Sequence, residues 1–284
     1  SLGQITGRKV RVAVGGGKGV ELLAGYRAFI ADRYQFLLSW APRQLVHFLM
    51  SAAERLLPPS DANIAFDFKV RQFLKGFTGP PVERHTRWLS TFLPSDLPAL
   101  LQEDLWHAVA PLFQKEPLFF LAPFLQNLSP STPLFSQVLL IYYKTYLQED
   151  ILLKVDRASM YNSLEVRAPF LDREVVDFLT MLPRAYKQRG HETKYLLKRL
   201  MKGRLPDEVL FRPKKGFGIP LPRWIRHDLR KEMQTLLLSS DPLFNATYVR
   251  LLWENHLNRR QNNRKLLWNL YTLKRVLATW NITL

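Results

Sequence analysis

The chain has 284 residues, of which 47% are hydrophobic and none is cysteine, and its formal net charge is +17. That length and apolar content can bury the core of one large or two modest domains, and the lack of cysteine excludes disulfides, thiolate zinc sites and a cysteine nucleophile within this polypeptide. The positive charge attracts phosphate in any form, and it gathers in Arg184–Leu284, which holds 22 Lys or Arg against 7 Asp or Glu.

Lys9–Val14, KVRVAV, alternates β-branched and polar residues and is predicted to be a strand. It runs into Gly15-Gly16-Gly17-Lys18-Gly19, and a helix is predicted from Val20 to about Ala31. Backbone amides at such a helix start suit a phosphate or carboxylate, which makes Gly15, Gly16, Gly17, Lys18 and Gly19 candidate phosphate contacts. The run is not a Walker loop, because Gly19 follows Lys18. Nor is it GxGxxG, because Val20 and Leu22 stand where the last glycine belongs. Taken alone, it is equally consistent with a tight turn that holds nothing. A strand–turn–helix unit of this kind belongs to a parallel sheet with neighbours on either side. With one strand legible, the chain is expected to begin partway through a domain.

Everything downstream reads as helix. Ser95 and Asp96 are expected caps ahead of Leu97–Leu105. Phe135, Val138, Leu139, Tyr142, Tyr146 and Leu147 recur at three–four spacing, as do Leu266, Leu267, Leu270, Leu273, Val276, Leu277 and Trp280. Proline-bearing breaks at Pro58-Pro59, Gly79-Pro80-Pro81, Ser129–Pro133 and Leu205-Pro206 separate the helices.

Two stretches set charge among apolar residues, Leu152–Asp172 and Leu210–Pro220, and charges so placed usually pair or meet a charged ligand. In the first, Lys154 and Arg157 share one helical face. They could approach a nucleotide, or pair with Asp150 or Asp156. Glu165, Arg167 and Asp172 read as buried charge pairs that fix a loop. In the second, Lys214 and Lys215 precede a glycine-bracketed Phe217. The six histidines show neither HxxxH nor HxH spacing, so no metal site is predicted from them. The apolar runs are too short to span a membrane, and no leader opens the chain; a soluble, cytoplasmic protein with no membrane partner is expected. Nucleic acid ranks last among partners, since the basic residues are scattered through amphipathic helices.

Four segments resemble those of the asparagine synthetases and related ATP-dependent amidotransferase ligases. VRVAVGGGKGVELLAGY at Val10–Tyr26 is similar to their VALSGDGGDELFGGY segment. LLKVDRASMYNSLEVRAPFLDREVVDF is similar to LxKxDRxSMxxSLExRxPFLDxxLVEF, and ETKYLLKR through RPKKGFGIPLPRW to K-x-x-L-R, LP and RpKxGFxxPxxxW. LLWNLYTLKRVLATW resembles their closing helix. The order is kept over essentially the whole chain.

The resemblance implies an α/β fold of the PP-loop adenine-nucleotide-hydrolase-like type in the parent enzyme. This chain, residues 1–284, would be the mainly α-helical C-terminal portion of the synthetase domain, with a remnant strand–glycine loop–helix unit. The N-terminal glutaminase domain and the SGGxDS pyrophosphate loop would lie outside it. The implied chemistry uses ATP and Mg2+ to adenylylate aspartate or a related acid, after which ammonia displaces AMP. The implied site residues are Lys214 and Glu21 as catalytic groups, with Gly15, Gly16, Gly17, Lys18, Gly19, Lys154, Arg157 and the auxiliary Lys215 near the phosphates. The resemblance leaves a homo-oligomer open. This chain departs from the family at Gly17 and Val20, where the relatives' acids stand, and at Gly15, where they have serine. Only Glu21 of the acidic set remains, so a degraded catalytic loop is expected. The alternative is a noncatalytic paralogue acting as a helical protein-interaction module.

Overall fold

The computed structural model describes residues 2–38, 42, 44–45, 48–49, 51–52, 66–76, 79–115, 118–212 and 218–282. The chain divides into two compact units. The first comprises Ser1–Trp40, Pro80–His85 and Leu121–Lys214; the second comprises Ala41–Gly79, Thr86–Phe120 and Lys215–Leu284.

The first unit is built on a two-stranded parallel sheet. Helix α1 (Leu2–Gly7) leads into β1 (Val12–Val14), which pairs with β2 (Glu165–Arg167) in the register Val12↔Glu165, Ala13↔Val166 and Val14↔Arg167. The predicted strand thus has a partner, in a segment that was expected to be helix and loop. Only three residues pair, and two of them are charged, so β2 shows none of the alternation by which strands are recognised.

The helix predicted from Val20 to Ala31 is broken in two, α2 (Gly19–Leu22) and α3 (Arg27–Leu38). Ala24 is left-handed at φ 49°, which ends the first piece. Gly25 follows because nothing larger fits: a Cβ there would lie 2.7 Å from Lys194 Cε and 2.9 Å from Val20 Cγ1.

Pro133 starts a long helical rod, α4 (Leu134–Ile141), which continues through a π-helical stretch Tyr142–Leu152 into α5 (Leu153–Met160). The π stretch carries Tyr142, Tyr143 and Tyr146. Beyond β2, Asp172 caps α6 (Arg173–Met181), accepting from the amides of Glu174 and Val175 at 3.0 and 3.4 Å. A hairpin, β3 (Gln188–Arg189) and β4 (Glu192–Thr193), turns at Gly190 with φ 61° and delivers the chain to α7 (Tyr195–Met201). Leu22, Leu23 and Leu179 form a small buried core of this unit, flanked by Tyr143, Phe170, Val175 and Leu197.

The same unit holds a charge cluster around the half-buried Asp32. Asp32 receives Arg84 at 3.3 Å and His85 Nε2 at 3.6 Å, while His85 Nδ1 lies 3.1 Å from the Tyr142 hydroxyl. Burial alone would raise the Asp32 pKa, but the hydrogen bond and charge of His85, with Arg84 and Arg184, hold it below the usual value. Burial lowers His85, and Asp32 offsets only part of that.

The second unit is helical in its described residues. Leu100, from the short helix Leu97–Leu100, joins Ile225 of α8 (Leu221–Arg226), Met233 and Leu237 of α9 (Arg230–Leu237), Val249, Leu252 and Trp253 of α10 (Ala246–Leu257), and Leu267 and Leu270 of α11 (Arg264–Thr279) in one apolar core. The helix expected over Leu97–Leu105 stops at Leu100 and resumes at Glu103–Lys115. Asp96 bonds back to the Leu93 amide at 2.7 Å instead of capping forward. Lys274, 7% exposed, is fully engaged: it donates to the carbonyls of Leu236, Leu237 and Ser239 at 3.0–3.1 Å and meets Asp241 at 2.5 Å.

Candidate active site

β1 ends at Val14, and the Gly15 amide still donates to the Arg167 carbonyl at 2.8 Å, so the glycine run begins anchored to the sheet. A Cβ at Gly15 would meet Val166 Cγ1 at 3.1 Å, and one at Gly19 would meet the Phe170 ring at 3.3 Å. These two glycines let the turn lie close on the Val166–Phe170 stretch. Gly16 and Gly17 differ: a Cβ at either would meet nothing within 4 Å. The site does not require glycine there on steric grounds.

Lys18 adopts φ 81°, a backbone region that favours glycine, and is 8% exposed. Its strained conformation lets its carbonyl accept from the amides of Glu21 and Leu22 and so start α2.

Glu21, 3% exposed, is the acid that this turn positions. One carboxyl oxygen accepts from the Tyr26 hydroxyl. The other, Oε2, is buried with no hydrogen-bond partner among the described residues, an arrangement that costs folding energy unless something else answers it. Tyr26 is held by aromatic contacts, stacked on Tyr142 at 5.6 Å and edge-on to Tyr146 at 5.5 Å. Burial and then the bond to Glu21 push its pKa up, so the phenol stays a donor. Tyr143 donates to the Leu22 carbonyl at 3.3 Å and tethers α2 to the π-helical stretch.

Lys194 completes the group. Its left-handed backbone, φ 55°, donates to the Leu23 carbonyl at 3.2 Å, and its side-chain stem runs over Gly25. Burial lowers its pKa while the nearby Glu21 charge raises it. Lys194 and Tyr26 are not among the site residues predicted from the sequence. Signals existed for both: Lys194 opens the KYLLK segment, and Tyr26 closes the glycine-turn segment.

Other predicted residues stand apart from this group. Lys154 forms an exposed i,i+4 ion pair with Asp150 at 3.3 Å, and Arg157 lies exposed on the same helix. Glu165 and Arg167 are not buried, as expected from their neighbours, but pair with each other at 2.6 Å on the surface of β2. Asp172 is likewise exposed and serves as a helix cap. Val166, between Glu165 and Arg167, is only half-buried, and the charged ends of a three-residue strand can reach water where a helical face would not. Lys214 and Lys215 lie outside the described residues.

The asparagine synthase family model matches residues 2–281. The chain belongs to that family. Within it, the chain is 35% identical over 128 residues to asparagine synthetase (glutamine-hydrolyzing) 1 of Bacillus subtilis strain 168, covering 44% of this chain and 20% of that protein. It is 46% identical over 82 residues to a putative asparagine synthetase (glutamine-hydrolyzing) of Mycobacterium bovis, 29% of this chain and 13% of the relative. A probable asparagine synthetase (glutamine-hydrolyzing) of Acanthamoeba polyphaga mimivirus is 32% identical over 126 residues, 38% and 23% of the two chains. The matches therefore span about a fifth or less of the length of the first relatives. No solved structure matches. No helix among the described residues is long and apolar enough to cross a membrane.

The acceptor set at the turn does not fit a magnesium ion. Glu21 offers one free oxygen, while Gly17 and Val20 offer no side-chain oxygen; a hard cation of this kind takes a shell of oxygens. Among the described residues, no group of three His, Asp or Glu could hold a metal.

Proposed function

We propose that the chain is the C-terminal part of a synthetase domain of the glutamine-dependent asparagine synthetase type, acting on ATP and aspartate or a related acid, with a degraded acidic loop. In such a reaction a carboxylate oxygen attacks the α-phosphorus, the bond to pyrophosphate breaks, and ammonia then attacks the acyl carbon and releases AMP. The observation that carries the reading is the buried Glu21 carboxyl with one unanswered oxygen beside Lys194, on a glycine turn that leads out of a parallel strand.

Each residue has a part in this reading. Lys194, whose pKa burial lowers and the Glu21 charge only partly restores, sets an amine where charge grows on the leaving phosphate. Glu21, fixed by Tyr26, offers its free oxygen to a donor on the acceptor substrate, such as an ammonium group. Lys18 adds a cation in place of the missing acids and neutralises phosphate without arranging a metal shell. Magnesium, where bound, would supply Lewis-acid stabilisation of the phosphates. The turn as it stands cannot hold it, so the reaction is impaired. Lys214 remains the proposed phosphate contact from the RPKKGF segment.

The interaction-module alternative is not favoured, because the family match runs through both long signatures as well as the turn. The deciding experiment is ATP–pyrophosphate exchange in the presence of aspartate and Mg2+. The chain is expected to show no exchange above background, and strong exchange would overturn the impairment. Gly17→Asp with Val20→Asp should recover binding of Mg-ATP, read by calorimetry. The open space at Gly17 makes that substitution sterically free.

A further inference from the structure

The hairpin and α7 assemble a second charged group that the ligase reading does not use. Arg189, at the end of β3, donates from Nη1 to the Tyr195 hydroxyl at 2.9 Å, and its Cζ lies 5.5 Å from the Tyr195 ring centroid. Arg199, one turn further along α7, sets its Cζ 5.0 Å from the same ring. Two guanidinium groups thus flank one phenol. The carboxylate across the hairpin is already committed: Glu192 stands opposite Arg189 in the register, yet it pairs with Lys198 at 3.6 Å. Among the described residues, neither arginine has a carboxylate within ion-pair distance. Both are exposed, so a solute can reach them.

We propose that Arg189, Tyr195 and Arg199 form a binding site for a phosphate oxyanion at the start of α7. Two fixed cations without counter-ions repel each other, and a dianion between them removes that cost. Guanidinium groups present forked N–H donors that match phosphate oxygens. The Tyr195 oxygen is occupied as an acceptor by Arg189, which leaves its own O–H to donate to the anion. The hydroxyl is also acidified, first by the hydrogen bond from Arg189; burial opposes this, and the bond from Arg199 with the charges of both guanidinium groups adds to it. That is the field an anion would meet. None of the three residues belongs to the Glu21–Lys194 group, so the inference is independent of the ligase reading.

The test is a phosphorus NMR titration of the full chain with inorganic phosphate at low, constant ionic strength, with AMP as a second ligand. Saturable binding is expected, weakened roughly tenfold by Arg189→Gln and by Arg199→Gln, and less by Tyr195→Phe, which keeps the ring. Arg230→Gln, an exposed arginine on α9, should change nothing. Phosphate should also raise the tyrosinate transition seen in the difference between wild type and Tyr195→Phe, because the anion cancels the guanidinium field. Competition by AMP would identify the phosphoryl group of a nucleotide as the source, and binding of phosphate alone would identify the free ion. Absence of saturable binding overturns the proposal. So does binding that survives the double arginine variant, or an equal loss in Arg230→Gln, which would mean diffuse positive charge.

Discussion

Two buried polar groups, one in each unit, are handled in opposite ways. In the second unit Lys274 spends its donors on three carbonyls and Asp241, whose other oxygen accepts from the amides of Leu243 and Phe244 at 2.9 and 2.8 Å. The Asp241 oxygen that faces Lys274 makes no further hydrogen bond, so the ammonium at ion-pair distance is its whole answer, and the pair ties α11 to the turn after α9. In the first unit Glu21 is as deeply buried, but one oxygen is left over. A satisfied buried charge holds a fold together; an unsatisfied one keeps bonding capacity for a ligand, at a cost in stability. The contrast separates a structural ion pair from a candidate site without reference to any relative.

The comparison can be broken most sharply at Lys274. Lys274→Met should leave Asp241 buried without its cation and cost about 3–5 kcal/mol in chemical denaturation; a cost below about 1 kcal/mol would show that the pair is not the anchor described. Next comes pH. The His85 pKa is lowered in the folded state by burial, so its contribution is present above its unfolded value of 6.5 and is lost as pH falls below it, because the unfolded chain then takes up the proton. Asp32, also lowered, acts in the same sense further down, below 3.8. Stability should therefore drop by up to about 1.4 kcal/mol per pH unit on acidification from pH 6.5, and His85→Gln should flatten that first limb.

Lys18→Gly should raise stability by about 1 kcal/mol, because φ 81° suits glycine and strains a side chain. A fall would mean that the buried lysine stem outweighs its backbone strain. The smallest effect belongs to Glu21→Gln. It is expected to change stability by less than about 1 kcal/mol, since the native carboxyl is only half satisfied, whereas Mg-ATP or aspartate binding to a Gly17→Asp, Val20→Asp background should be lost. A large destabilisation there would make Glu21 a structural group like Lys274 and end its candidacy.

Much of this was legible in the residue order. The β-branched run into the glycine turn, the three–four apolar stripes of α4 and α11, and the signatures of the asparagine synthase family are local or linear patterns. They identify the elements and the relatives with no coordinates. What the chain order could not show depends on partners far apart in it. The strand at Glu165–Arg167 exists because β1, some 150 residues earlier, pairs with it. Gly25 has no room for a side chain because the Lys194 stem crosses there. Whether a charge is buried and unanswered, as at Glu21, or exposed and paired, as at Glu165 and Arg167, is settled by which distant atoms surround it, since solvation belongs to the folded environment and not to the residue type.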